Sequence, residues 1–117
     1  MATDRDFVDY VLDQSGLGEA LAVRKMFGEY AFYLDGKVVA FACDNSFFLK
    51  PIAAVRAVAP ALPERPLFPG SKPYLVADEL LDDSDTLRRA LLETAKALPP
   101  PRPRKAGRGR GDAKRGK

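Results

Sequence analysis

The dipeptide Asp35-Gly36 stands between two runs of apolar residues and constrains the fold more than any other feature of this sequence. A two-residue turn between paired strands requires positive φ at both positions, and Asp-Gly is among the pairs that adopt it most readily. The turn therefore predicts a hairpin in which Phe32 lies opposite Val39, with every second side chain on the same face.

Further turn and capping signals extend this reading along the chain. Gly28 predicts a tight turn before the hairpin, and Asp44-Asn45 predicts another after it. Thr3 suits the N-cap of a first helix, and Leu67-Phe68 suits a partner for the last strand. The expected strands cover residues 21–27, 30–34, 37–43, 46–50 and 74–76, and the expected helices cover residues 4–14, 51–59 and about 84–98. The predicted class is α+β, with an antiparallel sheet of four to six strands flanked by two or three helices.

The predicted register gives the central hairpin two unlike faces. One face is bulky and contains Phe32 and Phe41, whose rings we expect to be buried under the helices. The other face is shallow and nearly uncharged, and it contains Ala31, Tyr33, Val38, Ala40 and Ala42. An uncovered apolar face of this kind favours self-association, so we expect a homodimer through this face or through the sheet edge.

Charge divides the chain into a folded part, residues 1–98, and a basic segment, residues 99–117. The first part has a net charge of −4, and the second has 8 Lys and Arg against 1 Asp, a net charge of +7. The second part is rich in Pro and Gly, which is typical of a disordered arm that binds polyanions such as DNA or RNA without sequence preference. The candidate nucleic-acid-binding residues are Arg102, Arg104, Lys105, Arg108, Arg110, Lys114, Arg115 and Lys117.

Residue usage excludes several classes of function. The sequence has no His, which excludes His-dependent acid–base catalysis, Ser-His-Asp and Cys-His arrangements and most transition-metal sites. No apolar run approaches the length of a membrane span, and the acidic N-terminus is unlike a secretory signal. The single Cys43 suits a reducing compartment. We therefore expect a cytoplasmic protein with no catalytic residue, no metal, no cofactor and no membrane contact.

Each conspicuous residue group also has a structural interpretation. Met26 and Phe27 are expected in the core, with Gly28 supplying a turn, and Cys43 is expected to be a small buried residue. The acidic run Asp82, Asp83 and Asp85 lacks the pattern of a calcium loop and is expected to cap the last helix. The aromatic residues of the sheet lack interleaved basic residues and are expected to be core rather than an RNA platform.

Several short motifs together resemble the N-terminal domain of the TfoX/Sxy family over about residues 5–98. The motifs are Met26-Phe27-Gly28, Tyr33-Leu34-Asp35-Gly36-Lys37, Phe48-Leu49-Lys50, and Tyr74-Leu75-Val76 followed by an acidic stretch and a helix. The resemblance implies an antiparallel sheet flanked by helices, a class shared with dimeric secretion chaperones. It also implies a regulatory role, because the best-known members regulate natural competence, and it supplies no catalytic residues.

Three hypotheses for function follow. The first is a non-enzymatic regulatory or interaction module with an unidentified protein partner. The second is a protein associated with nucleic acid through its basic segment. The third is an enzyme, since some relatives carry methyltransferase labels, but the sequence lacks the glycine-rich loop that such a cofactor requires.

Overall fold

A computed structural model describes residues 3–100, which form an antiparallel six-stranded sheet with three helices packed on one face. The helices are α1 (Arg5–Ser15), α2 (Ala53–Val58) and α3 (Ser84–Ala97). The strands are β1 (Leu21–Met26), β2 (Glu29–Leu34), β3 (Lys37–Cys43), β4 (Ser46–Leu49), β5 (Glu64–Pro66) and β6 (Pro73–Val76). Short 3-10 turns cover Gly18–Ala20 and Asp78–Asp82. The strand order is β1-β2-β3-β4-β6-β5, so the predicted α+β class is confirmed.

The core lies between the sheet and the apolar stripes of the helices. Phe32 on β2 and Phe47 on β4 are fully buried, and their rings meet edge to face at a centroid distance of 5.7 Å. The helices close over them with residues spaced three or four apart, as an amphipathic helix requires. The fully buried helical residues are Val8, Val11, Ser15, Val55, Leu87, Ala90, Leu91 and Thr94.

The two ends of α1 differ in how well the sequence predicts them. Gly16 ends the helix at φ 68°, a conformation for which Gly is the typical residue, and its N–H donates to the Asp13 carbonyl. The prediction of Thr3 as the N-cap is wrong, because Asp4 occupies that position. Thr3 is instead buried against the sheet, and its hydroxyl forms hydrogen bonds there instead of capping the helix.

The predicted register of the central hairpin holds at the turn and fails beyond it. Tyr33 lies opposite Val38 as predicted, but a β-bulge follows, and Phe32 lies opposite Ala40 rather than Val39. A bulge inserts one extra residue into one strand, so the partners beyond it shift by one position. Val39 and Ala40 are consequently both buried in the core.

This shift exchanges the faces of the second half of β3. Ala40 and Ala42, predicted on the shallow face, lie in the core beneath the helices. Phe41, predicted in the core, lies on the opposite face of the sheet, which we call the outer face. There it is half-buried and packs edge to face on Tyr74 at 5.5 Å. The predicted composition of both faces is therefore wrong beyond the bulge.

Strand β6 is present as predicted, but its partners are β4 and β5 and not Leu67-Phe68. Arg65 lies opposite Tyr74, and the backbone N–H of Val76 donates to the Pro63 carbonyl. Residues 67–72 form the connection, where the Ser71 hydroxyl accepts from the backbone N–H of Leu67 at 2.8 Å. The Leu67 N–H is therefore engaged within the turn and does not extend the pairing between β5 and β6.

The acidic run before α3 acts as a helix cap, as predicted. Asp83 is the N-cap, and its carboxylate accepts hydrogen bonds from the Thr86 hydroxyl at 2.7 Å and the Thr86 backbone N–H at 3.3 Å. Both hydrogen bonds lower the pKa of the Asp83 carboxyl below its ordinary value, and the bond from the Thr86 hydroxyl has the larger effect. Asp85 pairs with Arg88 at 2.7 Å, and Asp82 accepts from the Tyr10 hydroxyl at 3.3 Å.

The bulge predicts unequal effects for two phenylalanines of the hairpin. Phe32→Ala should lower the free energy of unfolding by about 3–5 kcal/mol, because it opens a cavity in the core. Phe41→Ala should lower it by only about 1–2 kcal/mol, because that ring is half-exposed on the outer face. Urea unfolding of both variants measures the difference. Equal losses would mean that Phe41 lies in the core and that the bulge is misplaced.

The cap predicts a pH-dependent effect of Asp83→Ala. A carboxyl with a lowered folded-state pKa stabilises the fold above its unfolded-state pKa, and the stabilisation is lost as pH falls through the folded-state value. The variant should therefore melt a few degrees below the wild-type protein at pH 7, and the gap should narrow below about pH 3.8. A gap that stays constant down to pH 2.5, measured by circular dichroism, would contradict a role for the ionised cap.

Candidate functional site

The turn between β1 and β2 is the most unusual local structure of the sheet. Phe27 and Gly28 are its two central residues, with φ of 52° and 83°, and Met26 pairs with Glu29 across its base. The next two turns along the chain, at Asp35-Gly36 and Asp44-Asn45, also have positive φ at both positions. All three are two-residue turns whose backbone suits the twist of a hairpin.

Phe is an unfavourable residue type for the backbone conformation at position 27. Left-handed φ is favoured by Gly and tolerated by Asp and Asn, whereas it costs a bulky L-residue roughly 1–2 kcal/mol. The Phe27 ring is also fully exposed, at 104% of its reference area, and Met26 beside it is 40% exposed. The prediction that these two residues belong to the core is wrong, while the predicted positive φ of Gly28 is confirmed. A two-residue turn extends beyond the sheet, so no neighbour covers its first side chain.

Hydrogen bonds from the N-terminal segment hold the base of this turn in place. The backbone N–H of Thr3 donates to the Gly28 carbonyl at 3.0 Å, and the Thr3 hydroxyl donates to Glu29 Oε1. Glu29 Oε1 also accepts from the backbone N–H of Asp44 at 3.1 Å, in the turn between β3 and β4. The Thr3 hydroxyl in turn accepts from the backbone N–H of Asn45 at 3.3 Å. These hydrogen bonds connect the turn to the N-terminal segment and to the turn between β3 and β4.

The strand that leads into the tip is basic and lies at the sheet edge. Among the described residues, strand β1 pairs only with β2, and Arg24 and Lys25 on it are exposed. Neither residue forms an ion pair within residues 3–100. We call residues 24–28 the hairpin tip: it combines two cations, a half-exposed Met and an exposed Phe. Arg and large apolar side chains are the residues that contribute most to protein–protein binding.

Cys43 is a small buried residue, as predicted, although it lies on the outer face and not in the core between sheet and helices. Burial, with smaller contributions from Glu29 and Asp44, raises the pKa of its thiol to about 11. The thiol is therefore protonated at neutral pH, and a protonated thiol is a poor nucleophile.

Other classes of site have no counterpart in the described part of the chain. Within residues 3–100 there is no group of three side chains that could hold a metal ion. Over the same residues, no helix has both the length and the apolar character needed to cross a bilayer. The eight predicted nucleic-acid-binding residues, from Arg102 to Lys117, lie outside the described residues.

Sequence reasoning identified the motif Met26-Phe27-Gly28 but missed how it is used. A run of apolar residues ending in Gly is typical of a buried strand, and nothing in the residue types indicates that the turn contains Phe27 itself. Thr3 and Glu29 were not recognised as the support of the turn, because they are 26 residues apart in sequence. The pairing of Met26 with Glu29, which leaves Phe27 and Gly28 as the turn, is visible only in the structure.

Comparison with known proteins identifies a family and a curated relative of this chain. The family model for the TfoX N-terminal domain matches residues 14–98. A curated relative, an uncharacterized 12.7 kDa protein in the trpE 5′ region of Spirochaeta aurantia, is 44% identical over 106 residues, which is 91% of this chain and 92% of that protein. No solved structure matches significantly. The family match covers the sheet, α2 and α3, including the hairpin tip. This chain belongs to the TfoX N-terminal domain family.

Proposed function

We propose that this chain is a non-catalytic regulatory module that binds a protein partner through its hairpin tip. The observation that carries the proposal is the state of Phe27: a bulky ring is held in full contact with water, on a backbone that disfavours it. Residues in sparsely populated backbone regions persist where the surroundings impose them, and they concentrate at functional sites.

The other turns of the same sheet provide an internal comparison. At the position equivalent to Phe27, the second turn has Asp35 and the third has Asp44, with φ of 54° and 52°. The three turns have almost the same φ at this position, so folding alone would be served better by Asp or Asn at the first turn. The ring therefore adds nothing to folding that a small polar residue would not add. A contact made in a complex explains its presence.

The composition of the tip indicates the chemistry of the partner. A Phe and a Met that leave water together favour an apolar pocket, and Arg24 and Lys25 favour carboxylates at the rim of that pocket. A second copy of the tip would place like charges together, so the proposed partner is a different protein. The match to the family suggests a role in regulation, and we extend this to control of competence or transcription in the cytoplasm.

The third prediction separates folding from binding at Phe27. Phe27→Asn should keep the melting temperature or raise it, with a gain in the free energy of unfolding of up to roughly 1 kcal/mol, because Asn adopts left-handed φ more readily. The same variant should lose the partner. Thermal melting measures the first effect. The second is measured by capture from native lysate, with quantitative mass spectrometry of what the immobilised wild-type protein and variants retain.

Tyr10→Gln is the matched control for that experiment. Tyr10 is also an exposed aromatic residue, at 43%, but it lies on α1 and outside the hairpin tip. Partners retained by the wild-type protein and Tyr10→Gln, but lost by Phe27→Asn and by the charge reversal Arg24→Glu, support the tip. Destabilisation by Phe27→Asn, or partners that it retains fully, would overturn the proposal.

A second candidate function rests on the charge of residues 99–117. This segment has a net charge of +7 and follows a folded part of net charge −4, so the segment should attract phosphates more strongly than the folded part does. We infer that it binds DNA or RNA weakly and without sequence preference. Gly and Pro separate the cations, and such spacing does not hold the side chains in the fixed geometry that hydrogen bonding to base edges requires.

The fourth prediction concerns salt dependence. If about 4–6 cations meet phosphates together, the logarithm of the binding constant should fall against the logarithm of salt concentration with a slope of about −4 to −5 on duplex DNA. Fluorescence anisotropy with a labelled duplex measures this slope. Removal of residues 99–117 should abolish binding and leave the melting temperature unchanged. Binding by the truncated protein, or none by the full chain at about 50 mM salt, would contradict this function.

A further inference from the structure

The outer face of the sheet contains a cleft of about 480 Å³, well away from the hairpin tip in sequence. Its lining comes from the end of β3, from β4 and from residues 65–69, which pass from β5 into the following connection. This volume lies within the range of small-molecule sites in proteins. The cleft combines an apolar lining with one preoriented cation, Arg65.

Two contacts orient the Arg65 side chain. Its guanidinium lies over the ring of Phe48, 5.3 Å from the centroid, and its Nη2 donates to the Ser46 hydroxyl at 3.1 Å. Phe48 is 1% exposed and so forms a fixed floor. Arg65 has no carboxylate partner within residues 3–100. A guanidinium has five N–H donors in a planar fork, so donors remain for a bidentate contact with a ligand oxyanion.

Apart from Asp44 and Ser46, the rest of the lining is apolar. Leu67 and Phe68 line the cleft together with Arg65. The Phe68 side chain is 61% exposed, so much of its apolar surface is available to a ligand. Cys43 contributes a protonated thiol, because burial raises its pKa to about 11, and a neutral thiol is a small apolar group. These side chains would cover an aliphatic or aromatic body better than a polar one.

Charge decides which oxyanion fits. Arg65 and Asp44 are the charged residues of the lining, and Asp44 is exposed in the turn between β3 and β4. The single guanidinium suits one negative charge, and the Asp44 carboxylate in the same lining disfavours a phosphate with two. We propose that this cleft binds a small monocarboxylate with an apolar body, its carboxylate paired with Arg65 and its body against Leu67 and Phe68.

Titration of the ¹⁵N-labelled full chain with sodium phenylacetate tests the proposal. The amide signals of Phe48, Arg65 and Phe68 should shift and saturate, with a Kd on the order of 1–10 mM for so small a ligand. Phenylacetamide has the same shape without the charge, and it should bind about tenfold more weakly or worse, because the charge-assisted contact is lost. Inorganic phosphate should cause no saturable shift of these signals.

Two variants complete the test. Arg65→Met should weaken phenylacetate about tenfold and leave phenylacetamide unchanged, whereas the control Arg89→Met on α3 should change neither. Equal affinity for acid and amide, saturable shifts elsewhere on the chain, or none at these residues up to about 50 mM ligand would each overturn the proposal. Because acid and amide are compared on the wild-type protein, the conclusion survives any effect of the variants on folding.

Discussion

Three turns of two residues each, joined by short strands, set the geometry on which this structure depends. Each turn needs positive φ at both positions, and such a turn fixes how the residues next to it pair. Strands β1 to β4 therefore follow one another in space in sequence order. With register fixed at every turn, the helices have one apolar face on which to pack, and that face becomes the core.

The first turn accounts for one candidate site, and the bulge in β3 accounts for the other. A two-residue turn extends its first side chain beyond the sheet, which is how Phe27 comes to be fully exposed. The bulge in β3 places Ala40 and Ala42 beneath the helices. It also places Phe41 on the outer face, where the ring packs against Tyr74. Phe48, which pairs with Phe41, then lies on the outer face as the floor beneath Arg65. The cleft is thus a consequence of one extra residue in one strand.

Residue chemistry made much of the fold predictable. Asp35-Gly36 and Asp44-Asn45 are residue types that favour left-handed turns, and Asp83 precedes α3 as a good cap, so these elements follow from the sequence. The bulge does not, because the apolar run from Val38 to Ala42 suits the core in either register. The candidate sites were less predictable still. Phe27 is a poor turn residue by type, and the support from Thr3 comes from a segment distant in sequence.

The central claim is that the first turn displays Phe27 to solvent while the sheet buries Phe32. It is tested most directly by nuclear magnetic resonance of the full chain with a soluble gadolinium chelate, which relaxes protons according to their exposure. The account predicts that the Phe27 ring protons relax most strongly among the phenylalanines, with no long-range Overhauser contact, and that the Phe32 ring is protected. A protected Phe27 ring with contacts to the core would contradict it.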